Sequence, residues 1–307
     1  MRILVTGGAG FIGSHVVDAL IQAGHAVAVA DDLSTGKREN LNPRATFHQL
    51  DIRIFEALTR LWEKEHPHYV VHCAAQVSVN HSVAEPLQDA QINILGSINL
   101  LECCRCFGLQ KFVYVSTGGA LYGEPRYLPC DEAHPIDPLS PYGASKHAVE
   151  HYLYLYRQNF GLNYTVLRCA NVYGPRQDPF GEAGVVAIFT QRMLHGEQVV
   201  IFGSGEQQRD FVYVADVARA CLLALEQGDG ALVNIGMGAG TSVNQIYRRL
   251  KSLTTYPLDA RYDPPRPSEP FQVWLEAQKA KEVLGWEPEV SLDEGLKRTV
   301  EWFRGQK

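Results

Sequence analysis

The sequence predicts an α/β fold, a doubly wound parallel sheet followed by a smaller, loop-rich C-terminal region. Short β-branched runs alternate with longer segments of helical period up to residue 170. After that point, polar Gly- and Pro-rich stretches such as "NVYGPRQDPFGEAG" and "FGSGEQQRD" separate the elements. Because strands that alternate with helices lie parallel, we expect helices to cover both faces of the sheet.

The elements follow in order along the first part of the chain. The predicted strands are "RILV", "AVAVA", "TFHQL", "YVVHC", "KFVYVS" and "YTVLR". The predicted helices span about residues 11–23, 54–64, 86–106 and 141–159. Pro141 favours the first position of the last helix, since proline there lacks only an N–H that would have no partner within the helix.

Two regions follow from this pattern. We expect residues 1–170 to form a dinucleotide-binding domain, with 211–236 returning to it through "DFVYVADVARACLLALEQ" and "ALVNIG". Residues 171–210 and 237–307 are expected to form the substrate-binding region.

The turn "TGGAGFIG" after the first strand is the strongest functional signal. Gly7, Gly10 and Gly13 permit a tight turn, a close approach of the backbone to a pyrophosphate, and close packing of the helix on the strand. Phe11 and Ile12 begin that helix, whose N-terminal N–H groups would face the phosphates. The strand–turn–helix context predicts a Rossmann-type dinucleotide site.

An acidic residue, Asp31, ends the second strand, 18 positions after Gly13. A carboxylate at this place binds ribose hydroxyls and repels a 2′-phosphate, so the sequence predicts NAD as the cofactor. Asp51 and Ile52 follow the third strand and are predicted to contact the adenine edge. A helix N-cap is the alternative role for Asp51.

The stretch "SPYGASKHAVEHY" places Tyr142 and Lys146 four residues apart on one helix face. A free phenol with a pKa of about 10 is a poor base near neutral pH. A neighbouring ammonium, reinforced by the positive nicotinamide of an oxidised cofactor, would lower that pKa. We therefore predict that Tyr142 takes a proton from an alcohol while hydride leaves for the cofactor.

Composition argues against several classes of partner. The 307 residues carry a formal net charge of −6 and no dense Lys/Arg cluster, so nucleic acid is not expected. No stretch approaches the ~20 apolar residues that span a bilayer, so no membrane is expected. Seven cysteines, an odd number, predict a reducing, cytoplasmic compartment. The segment "ECCRCFG" has no second Cys/His pair at zinc spacing, so no metal is predicted.

Five motifs together resemble one family of enzymes. They are "TGGAGFIG", "HCAAQ", "VSTGG", "YGASK" and "RCANVYGPRQDP". The set resembles the extended short-chain dehydrogenase/reductases that act on nucleotide sugars, the NAD-dependent epimerase/dehydratase family, over nearly the whole chain. The resemblance is strongest to members that interconvert UDP-glucose and UDP-galactose at C4, and it implies that activity.

The resemblance implies roles for individual residues. Tyr142 would be the base, and Lys146 would lower its pKa and bind the nicotinamide ribose. The family's small hydroxyl falls by position on Gly118, so Thr117 is the expected substitute and Ser116 the alternative. On the cofactor side, the implied residues are Ala74, Ala75, Gln76 and Asn93, the last with a structural role as its alternative.

By the same resemblance, Asn171, Arg209 and Arg266 contact the diphosphate of a bound UDP-sugar. Arginine suits phosphate because its planar fork donates two charge-assisted hydrogen bonds. The alternative is a surface arginine paired with Asp210 or Glu269.

The implied reaction is redox-neutral: hydride leaves C4 of the sugar for NAD and returns to the other face of a transient 4-keto sugar. Val273 aligns with the family's pocket-gating position, where a small residue implies activity on UDP-N-acetylhexosamines as well. Relatives that dehydrate nucleotide sugars carry an Asp-Glu pair where Gly118 and Gly119 stand here. A UDP-glucuronate decarboxylase, an epimerase of a different sugar and a non-catalytic NAD-binding sensor stay as alternatives.

The predicted helices at 86–106 and 141–159 carry apolar residues on more than one face. In the family these helices pair in a four-helix interface, so a homodimer is expected. Burial beneath the C-terminal region is the alternative.

Overall fold

The computed structural model describes residues 1–180, 184–265 and 270–306. Strands before residue 170 follow the apolar runs of the sequence. They are β1 (Arg2–Thr6), β2 (Ala26–Asp31), β3 (Thr46–Gln49), β4 (Tyr69–His72), β5 (Lys111–Thr117) and β6 (Tyr164–Cys169).

The helices of this part are α1 (Phe11–Gln22), α2 (Phe55–Glu65), α3 (Val79–Ala84), α4 (Pro86–Ala90), α5 (Gly96–Phe107) and α6 (Pro141–Phe160). The helix predicted over 86–106 is one helical path in which a π-helical turn, Gln91–Leu95, joins α4 to α5. In α6, the Ser140 side chain caps the N-terminus and Pro141 takes the first position, as predicted.

The remaining elements are shorter and fill the second half of the chain. They are β7 (Asn171–Tyr173), α7 (Val185–Leu194), β8 (Val200–Phe202), β9 (Gln208–Arg209), β10 (Phe211–Tyr213), α8 (Val214–Leu223), β11 (Ala231–Ile235), β12 (Thr241–Ser242), α9 (Val243–Thr254), β13 (Arg261–Asp263), β14 (Gln272–Val273), α10 (Gln278–Leu284) and α11 (Leu292–Gly305).

Seven parallel strands form the main sheet in the order β11-β6-β5-β4-β1-β2-β3. The strand order reverses between β1 and β4, which opens a crevice at the carboxyl ends of the strands where ligands bind in this architecture. The predicted doubly wound α/β fold is therefore confirmed.

Apolar side chains of α1 and α8 cover one face of the sheet, and those of α2, α5 and α6 cover the other. A third apolar cluster joins α7, α9 and α11 in the C-terminal region. Within 211–236, α8 packs on α1 and β11 forms a sheet edge, whereas β10 pairs with β7 outside the main sheet.

A small three-stranded sheet of order β12-β9-β14 lies in the C-terminal region. Its central strand places Arg209 level with Thr241 on one side and Val273 on the other. None of the described helices combines the length and apolar character needed to cross a membrane.

Candidate active site

The turn between β1 and α1 requires glycine at two positions. Gly7 has a φ of +70°, and a Cβ on it would lie 2.6 Å from the backbone nitrogen of Ala74. A Cβ on Gly13 would clash with the carbonyl oxygen of Gly7, so α1 starts directly against the turn. Gly10 is the N-cap of α1, and no side chain caps this helix end. The N–H groups of its first turn, Phe11 and Ile12 included, are therefore available to a pyrophosphate.

Asp31 ends β2 with a buried carboxylate that fastens the glycine turn. Its Oδ2 accepts the N–H of Ala9 at 2.9 Å, and its Oδ1 accepts the N–H of Leu33 at 2.8 Å. Burial raises the pKa of Asp31, and these two hydrogen bonds oppose the increase. A carboxylate at the position of Asp31 suits the ribose hydroxyls of NAD, because it lies beside the glycine turn that suits the NAD phosphates.

Asp51 follows β3 and is bound by Arg53. The closest approach of the guanidinium is 2.6 Å, and a hydrogen bond from Arg53 lowers the pKa of the Asp51 carboxyl. Because α2 begins at Phe55 with Ile54 as its N-cap, the alternative that Asp51 caps this helix is wrong. Ile52 is buried against Gly96, where a Cβ would meet its side chain at 2.7 Å.

Asn93 ties the loop after β4 to α6. In that loop, which contains Ala74 and Ala75, the backbone N–H of Gln76 donates to Asn93 Oδ1 at 2.8 Å. The Asn93 amide donates in turn to the Gln76 carbonyl at 2.9 Å and to Ser145 Oγ at 3.1 Å. The Asn93 side chain thus links the loop after β4 to α6, the helix of Tyr142 and Lys146.

Thr117, Tyr142 and Lys146 meet at the carboxyl end of β5. Thr117 is the last residue of β5, and its hydroxyl interacts with the phenol of Tyr142. The Lys146 ammonium donates to the carbonyl of Val115 at 2.8 Å and lies 4.3 Å from the ring centroid of Tyr114. Strand β5 therefore positions all three groups of the predicted catalytic centre.

Ser116 points away from this centre, because successive side chains of a strand face opposite sides. Its hydroxyl donates to Glu150 Oε1 at 2.7 Å, in the interior of the protein. Of the two candidate hydroxyls, the structure thus brings Thr117 to Tyr142 and commits Ser116 to a buried carboxylate.

Burial dominates the acid–base properties of the pair. It raises the pKa of the Tyr142 phenol, and the hydrogen bond with Thr117 offsets only part of that increase. It also lowers the pKa of the Lys146 ammonium to about 8. The expectation that the pKa of Tyr142 is lowered is thus corrected for the protein alone, since desolvation of the phenolate outweighs the favourable contacts. A further positive charge is needed for Tyr142 to ionise near neutral pH.

Sequence reasoning missed a buried ion pair behind the catalytic centre. Glu150, one turn after Lys146 on α6, binds Arg168 of β6 at 2.6 Å. Arg168 also donates to the hydroxyl of Tyr122 at 3.1 Å, which donates to Asn234 Oδ1 at 2.8 Å. The available signal was an arginine inside the apolar strand "YTVLRC".

Three of the residues expected to bind the UDP-sugar lie on short strands of the second half of the chain: Asn171 on β7, Arg209 on β9 and Val273 on β14. The Asn171 amide oxygen lies beside Gly119, where a Cβ would come within 2.7 Å of it. Arg209 and Val273 are register partners on neighbouring strands. Arg266 lies outside the described residues.

Val273 is buried but belongs to none of the three apolar clusters of the described chain. The next residue, Trp274, packs on Gly240, where a Cβ would approach its ring to 2.6 Å. Phe271 is half exposed. The bulky Trp274 side chain therefore packs towards Gly240.

The turn after Thr117 has no room for larger side chains. A Cβ on Gly118 would lie 2.5 Å from Leu275 Cδ1, and the Asn171 amide blocks the same place at Gly119. An acidic pair at these two positions would have to displace both neighbours. No group of three or more His, Cys, Asp or Glu side chains within residues 1–180, 184–265 and 270–306 is arranged to hold a metal ion.

Comparisons with known proteins agree with this geometry. The model of the NAD dependent epimerase/dehydratase family matches residues 3–236. The UDP-glucose 4-epimerase of Mycolicibacterium smegmatis is 43% identical, with 100% of this chain and 99% of that protein covered.

Two solved structures are similar over the whole chain. The UDP-glucose 4-epimerase of Thermotoga maritima with UDP-glucose is 56% identical, with a TM-score of 0.98 over 100% of this chain and 99% of that chain. The Thermus thermophilus UDP-glucose 4-epimerase in complex with NAD is 45% identical, with a TM-score of 0.95 over 99% of each chain. With its glycine turn, its Tyr-Lys pair and these matches, the chain belongs to the NAD-dependent epimerase/dehydratase family.

Proposed function

We propose that the protein is an NAD-dependent 4-epimerase that interconverts UDP-glucose and UDP-galactose through a transient 4-keto sugar. The observation that carries the proposal is the meeting of Thr117, Tyr142 and Lys146 at the end of β5, next to a turn shaped for a dinucleotide. Similarity over the full chain to enzymes named UDP-glucose 4-epimerase supports it.

Tyr142 is the base that takes the proton from the sugar hydroxyl at C4 and returns it at the end of the cycle. When bound, NAD would supply the hydride chemistry at C4 of the sugar. Lys146, held at the Val115 carbonyl, binds the nicotinamide ribose and keeps a positive charge near the phenol. Thr117 donates a hydrogen bond that steadies Tyr142 or the sugar oxygen during proton transfer.

NAD would be held along the carboxyl edge of β1, β2 and β4. The residues proposed to bind it, besides Tyr142 and Lys146, are Gly7, Gly10, Phe11, Ile12, Gly13, Asp31, Asp51, Ile52, Ala74, Ala75, Gln76 and Asn93. UDP-sugar binds to residues 171–210 and 237–307, where Asn171, Arg209 and Arg266 hold the diphosphate. The sugar itself must turn between the two hydride transfers, so the nucleotide is held firmly and the sugar loosely.

Dehydration of the sugar would need an acid and a base after Thr117. Leu275 and Asn171 occupy the space that such side chains would require at Gly118 and Gly119. The same turn also argues against decarboxylases that use an acidic residue there. Epimerisation, which needs no second acid–base pair, is the reaction that this turn favours.

The test is incubation of the purified protein with UDP-galactose and NAD⁺, with UDP-glucose followed by chromatography. Conversion without accumulation of NADH is expected. Release of carbon dioxide from UDP-glucuronate would instead identify a decarboxylase, and NAD binding without turnover of any nucleotide sugar would identify a sensor.

Thr117→Val is expected to lower kcat by about a hundredfold, because it removes the hydroxyl beside Tyr142. Ser116→Ala is the matched control, since it removes the neighbouring hydroxyl that points to Glu150. It is expected to cost about 1.5–3 kcal/mol of stability, because the hydroxyl donates to a buried carboxylate, and to leave kcat nearly unchanged. Steady-state kinetics and thermal unfolding of both variants check the prediction, and the reverse ranking of kcat would assign the catalytic hydroxyl to Ser116.

Val273 sets the width of the sugar pocket, and the protein is expected to act on UDP-N-acetylglucosamine as well as on UDP-galactose. Val273→Tyr is expected to lower kcat/KM for UDP-N-acetylglucosamine by about tenfold or more, with a much smaller effect on UDP-galactose. Val273→Leu controls for added bulk at this buried position. If the parent protein converts UDP-galactose but neither binds nor converts UDP-N-acetylglucosamine, the role of Val273 is wrong.

The protein forms a homodimer through the α4–α6 face. On these helices Leu87, Leu95 and Tyr154 are 78%, 54% and 49% exposed, and such apolar side chains would be covered by a second copy of the chain. Sedimentation is expected to show a dimer, and Leu95→Glu is expected to shift it to monomer. A monomeric parent protein would contradict the prediction.

All seven cysteines are free thiols, and all but Cys106 are buried or half-buried. Unpaired thiols in this number suit a reducing compartment, so we place the enzyme in the cytoplasm.

A further inference from the structure

Asp210 is a buried carboxylate that directly follows Arg209 and is 2% exposed. Its Oδ1 accepts the backbone N–H of Met237 at 2.8 Å. Its Oδ2 accepts the N–H groups of Gly238 and Leu275, both at 3.2 Å. One side chain thus satisfies three backbone donors from two segments that follow different strands.

The backbone of Asp210 makes two more connections. Its N–H donates to the carbonyl of Val273 at 3.1 Å, and its carbonyl accepts the N–H of Asn171 at 3.0 Å. Asp210 is therefore joined to Asn171 and to Val273 by one backbone hydrogen bond each, and to Arg209 by a peptide bond. All three are among the residues proposed to bind the UDP-sugar.

The carboxylate also reaches the catalytic turn through Leu275. The Leu275 side chain fills the space over Gly118, the residue after Thr117. On the other side of the carboxylate, a Cβ on Gly236 would lie 2.5 Å from Asp210 Oδ2, so no side chain fits between Gly236 and Asp210. A shift of Asp210 would therefore be transmitted to both the nucleotide side and the hydroxyl side of the crevice.

Burial raises the pKa of Asp210 to about 6, and the three N–H groups oppose the increase. An uncharged amide at this position would avoid the burial of a charge. It could not accept all three donors, because its NH₂ group would face one of the N–H groups. The ionised carboxylate is thus the side chain that fits this arrangement of donors.

We infer that Asp210 is a positioning residue for the UDP-sugar: its carboxylate fixes Asn171, Arg209 and Val273 in the arrangement that receives the nucleotide sugar. The inference rests on the proposed function, since it names the residue that shapes the substrate half of the same site. Asp210 itself does not touch the reacting atoms.

The test is the affinity for UDP-glucose, measured by calorimetry on NAD-loaded protein carrying Tyr142→Phe, so that turnover does not change the ligand. Asp210→Asn is compared with Asp216→Asn. Asp216 is the matched control because it is equally buried and accepts the N–H groups of Glu289 and Val290 at 3.0 and 3.1 Å, neither of which is among the individual residues proposed to contact the substrate.

Asp210→Asn is expected to raise the Kd for UDP-glucose by about tenfold or more and to leave the Kd for NAD unchanged, whereas Asp216→Asn changes neither. An unchanged Kd for UDP-glucose in Asp210→Asn, or an equal increase in Asp216→Asn, overturns the inference. If Asp210→Asn does not fold, Gly236→Ala decides in its place, because its methyl group pushes on Asp210 Oδ2 while the charge stays. Failure of the parent protein to bind UDP-glucose would overturn the proposed function as well, which separates the two outcomes.

Discussion

Tyr142→Phe is expected to lower kcat for the conversion of UDP-galactose by about 10³-fold, which corresponds to roughly 4 kcal/mol in the activation barrier. The substitution removes the one phenolic oxygen that lies beside Thr117 and on the same helix face as Lys146. Ser116, the neighbouring hydroxyl on β5, does not replace it, because Ser116 is bound to Glu150. Initial rates on the purified variant check the prediction.

The control for Tyr142→Phe is cofactor binding. The phenyl ring keeps the packing of the N-terminal turn of α6, so thermal stability should stay close to that of the parent protein. Only the hydroxyl contact of Tyr142 with the cofactor is lost, so NAD affinity should fall far less than kcat. Loss of activity together with loss of NAD would point to a structural role of Tyr142. Activity within about tenfold of the parent would show that another group is the base.

The raised pKa of Tyr142 gives this prediction a physical consequence. Burial keeps the phenol protonated in the protein alone, and Thr117 offsets only part of that effect. The positive nicotinamide of NAD⁺ adds the charge that favours the phenolate. Proton removal from the sugar by Tyr142 would thus be coupled to the oxidised state of the cofactor, which fits a reaction in which the proton leaves the oxygen and the hydride leaves the carbon of one H–C–O–H unit.

Local patterns were enough to predict the glycine turn after β1 and the placement of Tyr142 and Lys146 on α6. Glycine is required at both ends of this turn. A side chain on Gly7 would clash with the backbone of Ala74, and one on Gly13 would clash with the carbonyl of Gly7. The placement of Tyr142 and Lys146 together could be predicted because residues four positions apart lie on the same face of a helix. These signals lie within a few residues of one another, so no tertiary information was needed.

The substrate half could not be predicted in the same way. Asp210 acquires its partners from segments after β11 and β14, and Leu275 reaches Gly118 from 157 positions along the chain. The choice between Thr117 and Ser116 depends on the side of β5 that each residue faces. The ion pair of Glu150 with Arg168 depends on the packing of α6 against β6. Such contacts are set by the packing of distant elements, which a single sequence does not display.

Arg168→Met is expected to lower the free energy of unfolding by about 3–5 kcal/mol, because it leaves the Glu150 carboxylate buried without its main cation. Arg168 and Glu150 are 4% and 5% exposed, and the guanidinium makes three of the hydrogen bonds to this carboxylate. Burial by itself raises the pKa of Glu150, but the bonds from His147, Arg168 and Ser116 leave that pKa below its usual value. Chemical denaturation of the variant at neutral pH measures the loss.

The double variant Glu150→Leu, Arg168→Met distinguishes the ion pair from simple packing. Removing both charges eliminates the unpaired carboxylate, so at least about half of the lost stability should return, although Ser116 and Tyr122 each lose a partner. A double variant no more stable than Arg168→Met would show that the guanidinium acts through its packing and not through its charge. Glu150 lies one helical turn after Lys146 and binds the strand that neighbours Thr117. If kcat is lowered in Arg168→Met and stays low in the double variant although stability returns, the ion pair also orients α6.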